Sequence, residues 1–134
     1  MEHRVQLADV VGIPYLDHGR SNKGWDCYGL VCWMLQHEFG LRVPSYTMSY
    51  TKADDLESSG SAFEYHKGEW VHVERGTEQY GDVIVLTLGG SPVHCGMVLE
   101  PGRMLHCLAG RETCVERYDG HAWANRIEGI YRWK

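Results

Sequence analysis

Between Asp26 and Gly40 the apolar positions recur at helical spacing. Leu30, Val31, Met34 and Leu35 fall on one stripe, with Cys27 one turn earlier. Asp26 is a good N-cap and Gly40 suits a left-handed C-cap, so the pattern predicts a helix between them. From Trp70 the pattern changes to short strand-like runs: Trp70–Glu74, Asp82–Leu88, Val93–Leu99, Arg103–Leu108, Thr113–Tyr118 and Ile127–Trp133. Glycine or proline separates most of them, as antiparallel hairpins and a small curved sheet or barrel require. Before the helix, residues 5–12 read as a short helix or an extended segment. The stretch Ile13 to Trp25 holds Pro14, Gly19, Asn22 and Gly24 and reads as an irregular loop. Residues 44–69 are polar and mixed, with a candidate helix from Ala53 to His66 that elaborates the core rather than founding a second domain. Helices followed by a meander of strands predict an α+β fold in one domain over residues 1–134.

Composition narrows the function classes. A chain of 134 residues can bury a core without staples. Its 13 Lys+Arg against 18 Asp+Glu give a formal charge of −5, which argues against a nucleic-acid groove. No apolar run approaches the ~20 residues a membrane helix needs, so no membrane insertion is expected. The first residues lack an apolar core followed by a small-residue cleavage site, so no signal peptide is read there. Five cysteines, an odd number with no CxxC pair, argue against a disulfide framework.

The chemistry concentrates in Gly24-Trp25-Asp26-Cys27-Tyr28-Gly29-Leu30-Val31. A thiol at a helix N-terminus faces unsatisfied N–H groups and the positive end of the helix dipole, and its thiolate is favoured. A histidine able to take the proton and a second group to orient that ring complete a nucleophilic device. Two histidines sit in strand-like runs, Val93-His94-Cys95-Gly96 and Leu105-His106-Cys107.

Strand parity decides whether they can meet. If residues 100–102 form a three-residue loop, Leu99 pairs with Arg103 and all pairs sum to 202. His106 then lies opposite Gly96, with His94 two residues along on the same face. A two-residue loop at 101–102 would put the rings on opposite faces.

Pro14-Tyr15, Gly19, Asp26-Cys27-Tyr28-Gly29-Leu30-Val31, Gly81-Asp82-Val83-Ile84, His94-Cys95-Gly96-Met97-Val98 and Met104-Leu105-His106 together resemble the NlpC-type branch of papain-like cysteine peptidases. These cut peptide bonds in the stem peptides of bacterial cell walls. The resemblance runs from Pro14 to about Cys107. It implies a papain-like fold, with N-terminal helices packed on a small antiparallel sheet or half-barrel. It implies Cys27 as nucleophile, His94 as base and His106 as the orienting residue. Tyr15 would lie beside the nucleophile as an oxyanion donor, and Trp25 and Tyr28 would line the substrate cleft. Tyr28 stands where serine is usual, and His18-Gly19 replaces a Gly-Gly pair. A bulky residue after the cysteine resembles the phage tail-assembly members. That likeness implies other tail proteins as partners and a place in the virion tail, or in the bacterial cytoplasm during assembly.

Other readings bear on the same residues. Cys32 reads as helix core, and Cys95 and Cys107 as filling the sheet's buried face. Trp25, Trp33, Trp70, Trp123 and Trp133 read as core or rim packing, and Asp26 as a cap. His94-Cys95 and His106-Cys107 look like metal-ligand pairs, but adjacent strand residues point to opposite faces. Each dipeptide offers one ligand, and no further ligands stand at zinc-site spacing, so neither a metal nor another cofactor is expected. A tail assembly protein of little activity and a thioester-forming acyl or amide transferase remain alternatives to a peptidase.

Overall fold

The computed structural model describes residues 3–49 and 65–133. Residues 53–64 of the candidate helix Ala53–His66 lie outside them. One α-helix, α1 (Cys27–Phe39), is present among the described residues. Its N-cap is Asp26, whose carboxylate accepts the Gly29 N–H, and its C-cap is Gly40 at φ 69°. Leu30, Val31, Met34 and Leu35 are buried, as the stripe requires. Residues 5–12 form one short 3₁₀ turn, Leu7–Asp9.

The irregular loop expected at 13–25 is more ordered than its glycines suggested. It contains a two-stranded hairpin, β1 (Arg20–Ser21) and β2 (Gly24–Trp25). Gly19 is required there, because a Cβ at that position would come within 2.6 Å of the Trp25 backbone.

The remaining strands are β3 (Val71–Val73), β4 (Val83–Leu88), β5 (Ser91–Glu100), β6 (Arg103–His106), β7 (Cys114–Arg117) and β8 (Ile127–Arg132). Among the described residues they form one six-stranded antiparallel sheet in the order β3-β8-β4-β5-β6-β7. A helix on one face of such a sheet makes the α+β arrangement.

Two apolar clusters hold the layers together. Leu30, Val31, Met34 and Leu35 of α1 pack with Val83, Met97, Leu105 and Cys107. Each such buried side chain contributes about 1.5–3 kcal/mol relative to exposure. On the other face Ile84, Leu86, Val98, Met104, Trp123 and Ile130 form the second cluster. Cys107 is buried as expected. Cys32 is not core: it is only partly buried, and its thiol donates to the Pro44 carbonyl at 3.8 Å.

The β5–β6 hairpin resolves the parity question by an unexpected route. The turn has two residues, Pro101 and Gly102, with Glu100 paired to Arg103. Between Glu100 and Val98 the register shifts at Leu99, and from there the pairs are Val98↔Met104, Met97↔Leu105 and Gly96↔His106. One residue fewer in the turn and one extra in β5 cancel, so these pairs sum to 202. His94 and His106 therefore share a face.

Candidate active site

Three elements meet at Cys27. Asp26 fixes the start of α1 from a fully buried position, accepting from Gly29 N at 2.7 Å, Arg20 Nη1 at 2.8 Å and His18 N at 3.2 Å. Cys27 follows as the first helical residue, so its N–H has no acceptor within the helix. Its Sγ lies 3.9 Å from the Val93 carbonyl oxygen of β5 and makes hydrogen-bonding contact with Cys95 and His94.

His94 and His106 are 3% and 1% exposed. His94 Nε2 lies 2.8 Å from His106 Nδ1, which leaves His94 Nδ1 as the nitrogen available to the thiol. Behind them, His106 Nε2 lies 2.8 Å from Glu116 Oε1 on β7. The indole of Trp123 stacks on His94 at 5.6 Å and meets the edge of His106 at 5.6 Å. A file of groups results, buried from Cys27 through His94 to His106 and ending at the partly exposed Glu116.

The close approach of β5 and β6 depends on Gly96. A Cβ there would sit 3.0 Å from both the His106 Cβ and the Leu105 carbonyl oxygen. The histidine on β6 can thus lie against the strand that carries His94.

Electrostatics follow from these contacts. The Cys27 thiol is held well below its ordinary pKa by the Cys95 thiol hydrogen bond and then by the His94 hydrogen bond and charge, against the opposing effect of burial. Cys95 is pushed well above its own ordinary value by the same hydrogen bond and by burial. Of the two thiols Cys27 is therefore the stronger acid. Burial, together with the His94 charge, lowers His106 to about 4 against the pull of Glu116, so it is neutral at pH 7. A neutral His106 with its proton on Nε2 donates to Glu116 and accepts at Nδ1 from His94.

The other residues singled out in the sequence fall in different places. Tyr15 lies close enough for the Cys27 charge to raise its pKa, after burial, but its hydroxyl donates to Asp17 Oδ1 at 3.0 Å. Trp25 does not line a cleft. It is fully buried, and its Nε1 donates to Thr113 Oγ1 at 2.7 Å, which anchors the loop before α1 to the sheet. Tyr28 is partly buried, donates to the Pro44 carbonyl at 2.7 Å and stacks on Tyr46. Three participants were missed in the sequence: Glu116, Trp123 as a wall on the histidines, and Cys95 as a partner of the thiol. No local signal marked Glu116, because its place opposite β6 is set by a register that only the fold supplies.

The sequence pattern of the NlpC/P60 family matches residues 12–132. Murein DD-endopeptidase MepS/Murein LD-carboxypeptidase of Escherichia coli K12 is 23% identical over 127 residues, which are 95% of this chain and 59% of that protein. The chain therefore spans about three-fifths of the length of this curated relative. An NlpC/P60 family protein of Bacillus cereus superposes with a TM-score of 0.69 at 23% identity, over 92% of this chain and 36% of the other. The peptidoglycan hydrolase RipB of Mycobacterium tuberculosis superposes with a TM-score of 0.62 at 20% identity, over 93% of this chain and 59% of the other. These superpositions establish the fold, the papain-like α+β arrangement of NlpC/P60 domains.

Proposed function

The chain belongs to the NlpC/P60 family, and from that premise we propose that it is a cysteine peptidase cutting peptide bonds in peptidoglycan stem peptides. The observation that carries the reading is the uninterrupted file from Cys27 through His94 and His106 to Glu116. Its role assignment is Cys27 as nucleophile, His94 as base and acid, and His106 as the orienting residue.

In the proposed cycle His94 Nδ1 takes the Cys27 proton, giving a thiolate and an imidazolium. The thiolate attacks the scissile carbonyl, and the Cys27 N–H at the start of α1 stabilises the oxyanion. Tyr15 can join only if its hydroxyl leaves Asp17. His94 then protonates the departing amine, and water hydrolyses the thioester. The imidazolium is supported from behind, because its Nε2–H donates to His106 Nδ1 while His106 Nε2–H donates to Glu116. A carboxylate at the far end stabilises the positive charge as it develops on His94.

Phage tail association is the finer reading, and Tyr28 directly after Cys27 supports it. Beside the start of α1, Tyr28 donates to the Pro44 carbonyl and stacks on Tyr46.

Mass spectrometry of purified cell wall after incubation tests the reading. Hydrolysis gives new amino termini, whereas transfer gives new cross-links. Cys27→Ala should abolish cleavage with little change in folding. Cleavage retained by Cys27→Ala overturns the assignment.

A further inference from the structure

Beside the catalytic file, the β6–β7 pair assembles a second group of donors. A ring nitrogen of His106, Cys114 Sγ and a Glu116 carboxylate oxygen all lie within 4.8 Å of one another, and Nε2 is the ring nitrogen that Glu116 reaches. His106 and Cys114 are directly opposite in the register, and Glu116 is two residues from Cys114 on the same face. The dipeptide His106-Cys107 offers only its histidine, as parity demands. The other two donors come from the facing strand.

We propose that His106, Cys114 and Glu116 form a Zn²⁺ site whose occupation switches the peptidase off. One nitrogen, one sulfur and one carboxylate oxygen are the donor types zinc takes, and they exclude the all-oxygen shells of calcium and magnesium. Tetrahedral zinc spaces such donors roughly 3.3–3.6 Å apart. The His106–Glu116 pair at 2.8 Å must open slightly and Cys114 must close in. Both donors on β7 have room to turn, Cys114 being exposed and the Glu116 side chain 40% exposed. β7 is the edge strand, so the fourth position opens to water. The hydrogen bond between His106 and Glu116 serves the peptidase without Cys114. The thiol is what turns that pair into a three-donor set.

The consequence for catalysis, which rests on the role assignment above, follows from counting protons. In the working arrangement His106 carries its proton on Nε2, His94 carries its own on Nε2, and His94 Nδ1 is free to accept from Cys27. Zinc on His106 Nε2 requires the His106 proton on Nδ1, where it is donated to His94 Nε2. The His94 proton then has to sit on Nδ1, facing the thiol. Each histidine still holds one proton, and the Cys114 thiol releases one to solvent on binding. The base nitrogen is thereby blocked, and the divalent charge opposes formation of the His94 imidazolium.

Cobalt titration of the metal-free protein tests the site without reference to activity. One equivalent of Co²⁺ should give a thiolate-to-cobalt charge-transfer band, which Zn²⁺ abolishes by competition. The band should be lost in Cys114→Ser and kept in Cys27→Ser. A band that survives Cys114→Ser, one that vanishes in Cys27→Ser, or no band at all overturns the proposal. On cell-wall substrate, Cys114→Ser should cleave like wild type without metal. Its inhibition by Zn²⁺ should need a concentration higher by at least the ~10-fold that loss of even an outer-shell partner costs. Equal inhibition of both proteins overturns the switch. A wild-type protein without peptidase activity but with the expected band would sink the peptidase reading and leave the zinc site standing.

Discussion

Glu116 on the edge strand β7 holds His106 from behind, with Oε1 2.8 Å from Nε2, although ten residues of chain separate the two. The sequence motifs give His106 as the orienting residue and reach no group beyond it. A carboxylate stands one step further back. The hydrogen bond to Glu116 favours the tautomer of His106 whose Nδ1 accepts from His94.

Glu116→Gln should therefore slow the reaction without unfolding the protein. A charge-assisted hydrogen bond exceeds a neutral one by about 1 kcal/mol, which corresponds to a loss of roughly fivefold in kcat/KM. The loss should fall on kcat, because Glu116 touches no substrate, and Glu116→Asp should recover part of it. Steady-state kinetics on a stem-peptide substrate decide this, and a pure KM effect would contradict the positioning role.

The parts of this arrangement readable in the sequence are those set by local chemistry. Helix α1 was legible with both ends, because Asp26 and Gly40 are local signals and the apolar stripe has a helical period. The shared face of His94 and His106 was also legible, though the expected three-residue loop was not what produced it. A two-residue turn and the extra residue at Leu99 compensate one another, and nothing in Leu99-Glu100-Pro101-Gly102 distinguishes that from a longer loop. Glu116 was hidden because residues 107–113 connect β6 and β7 without a tight turn, so no local rule fixes the register. The meeting of Cys95 with Cys27 depends on how α1 lies across β5, and the burial of Trp25 depends on Thr113 far along the chain. Tertiary placement of this kind leaves no periodic trace.

Gly96 marks the tightest approach between the two histidine strands. Gly96→Ala would place a methyl group 3.0 Å from the His106 Cβ and from the Leu105 carbonyl, both of which belong to a packed strand and cannot easily yield. Overpacking of this sort costs about 1–3 kcal/mol. Thermal unfolding should show that loss, and kcat should fall further than stability alone explains, because the methyl pushes His106 away from His94. Full activity in a destabilised Gly96→Ala protein would mean that the His94–His106 contact is unimportant for turnover.

Glu38 predicts the acid limb of stability. Its carboxylate is 2% exposed at the C-terminal end of α1 and ties in residues 3–5. Burial works against its charge, but hydrogen bonds from Tyr80, from His3 and from the Arg4 and Val5 N–H groups outweigh it and bring the pKa from 4.5 to about 2. A folded pKa below the unfolded one contributes stability that is complete above about 4.5 and is lost as pH falls toward about 2. The contribution is about 3 kcal/mol. Urea unfolding at neutral pH and at successively lower pH should show wild type losing this amount. Glu38→Gln should be less stable at pH 7 and flatter through the acid range. Parallel curves for the two proteins would show that another carboxylate governs acid unfolding.

The five thiols should respond to alkylation in an order that pH reverses. Cys114 is the exposed one, so accessibility alone predicts that it reacts first. The thiolate is the reactive species, however, and burial together with the Glu116 charge raises Cys114 above its ordinary pKa. Cys32 is raised to about 11 by burial, and Cys107 and Cys95 are also raised. Only Cys27 is lowered, by Cys95 and His94. With brief iodoacetamide treatment near neutrality Cys27 should label first, although it is 6% exposed. As pH rises the thiolate fraction of Cys114 grows about tenfold per unit, and Cys114 should overtake it. His94→Ala removes the charge and hydrogen bond that hold the Cys27 proton off, so that variant should label Cys27 more slowly at neutral pH. Peptide mapping across the pH series reads all of these rates at once. Faster labelling of Cys114 than of Cys27 at neutral pH would show that Cys27 is an ordinary buried thiol, and the peptidase reading would lose its nucleophile.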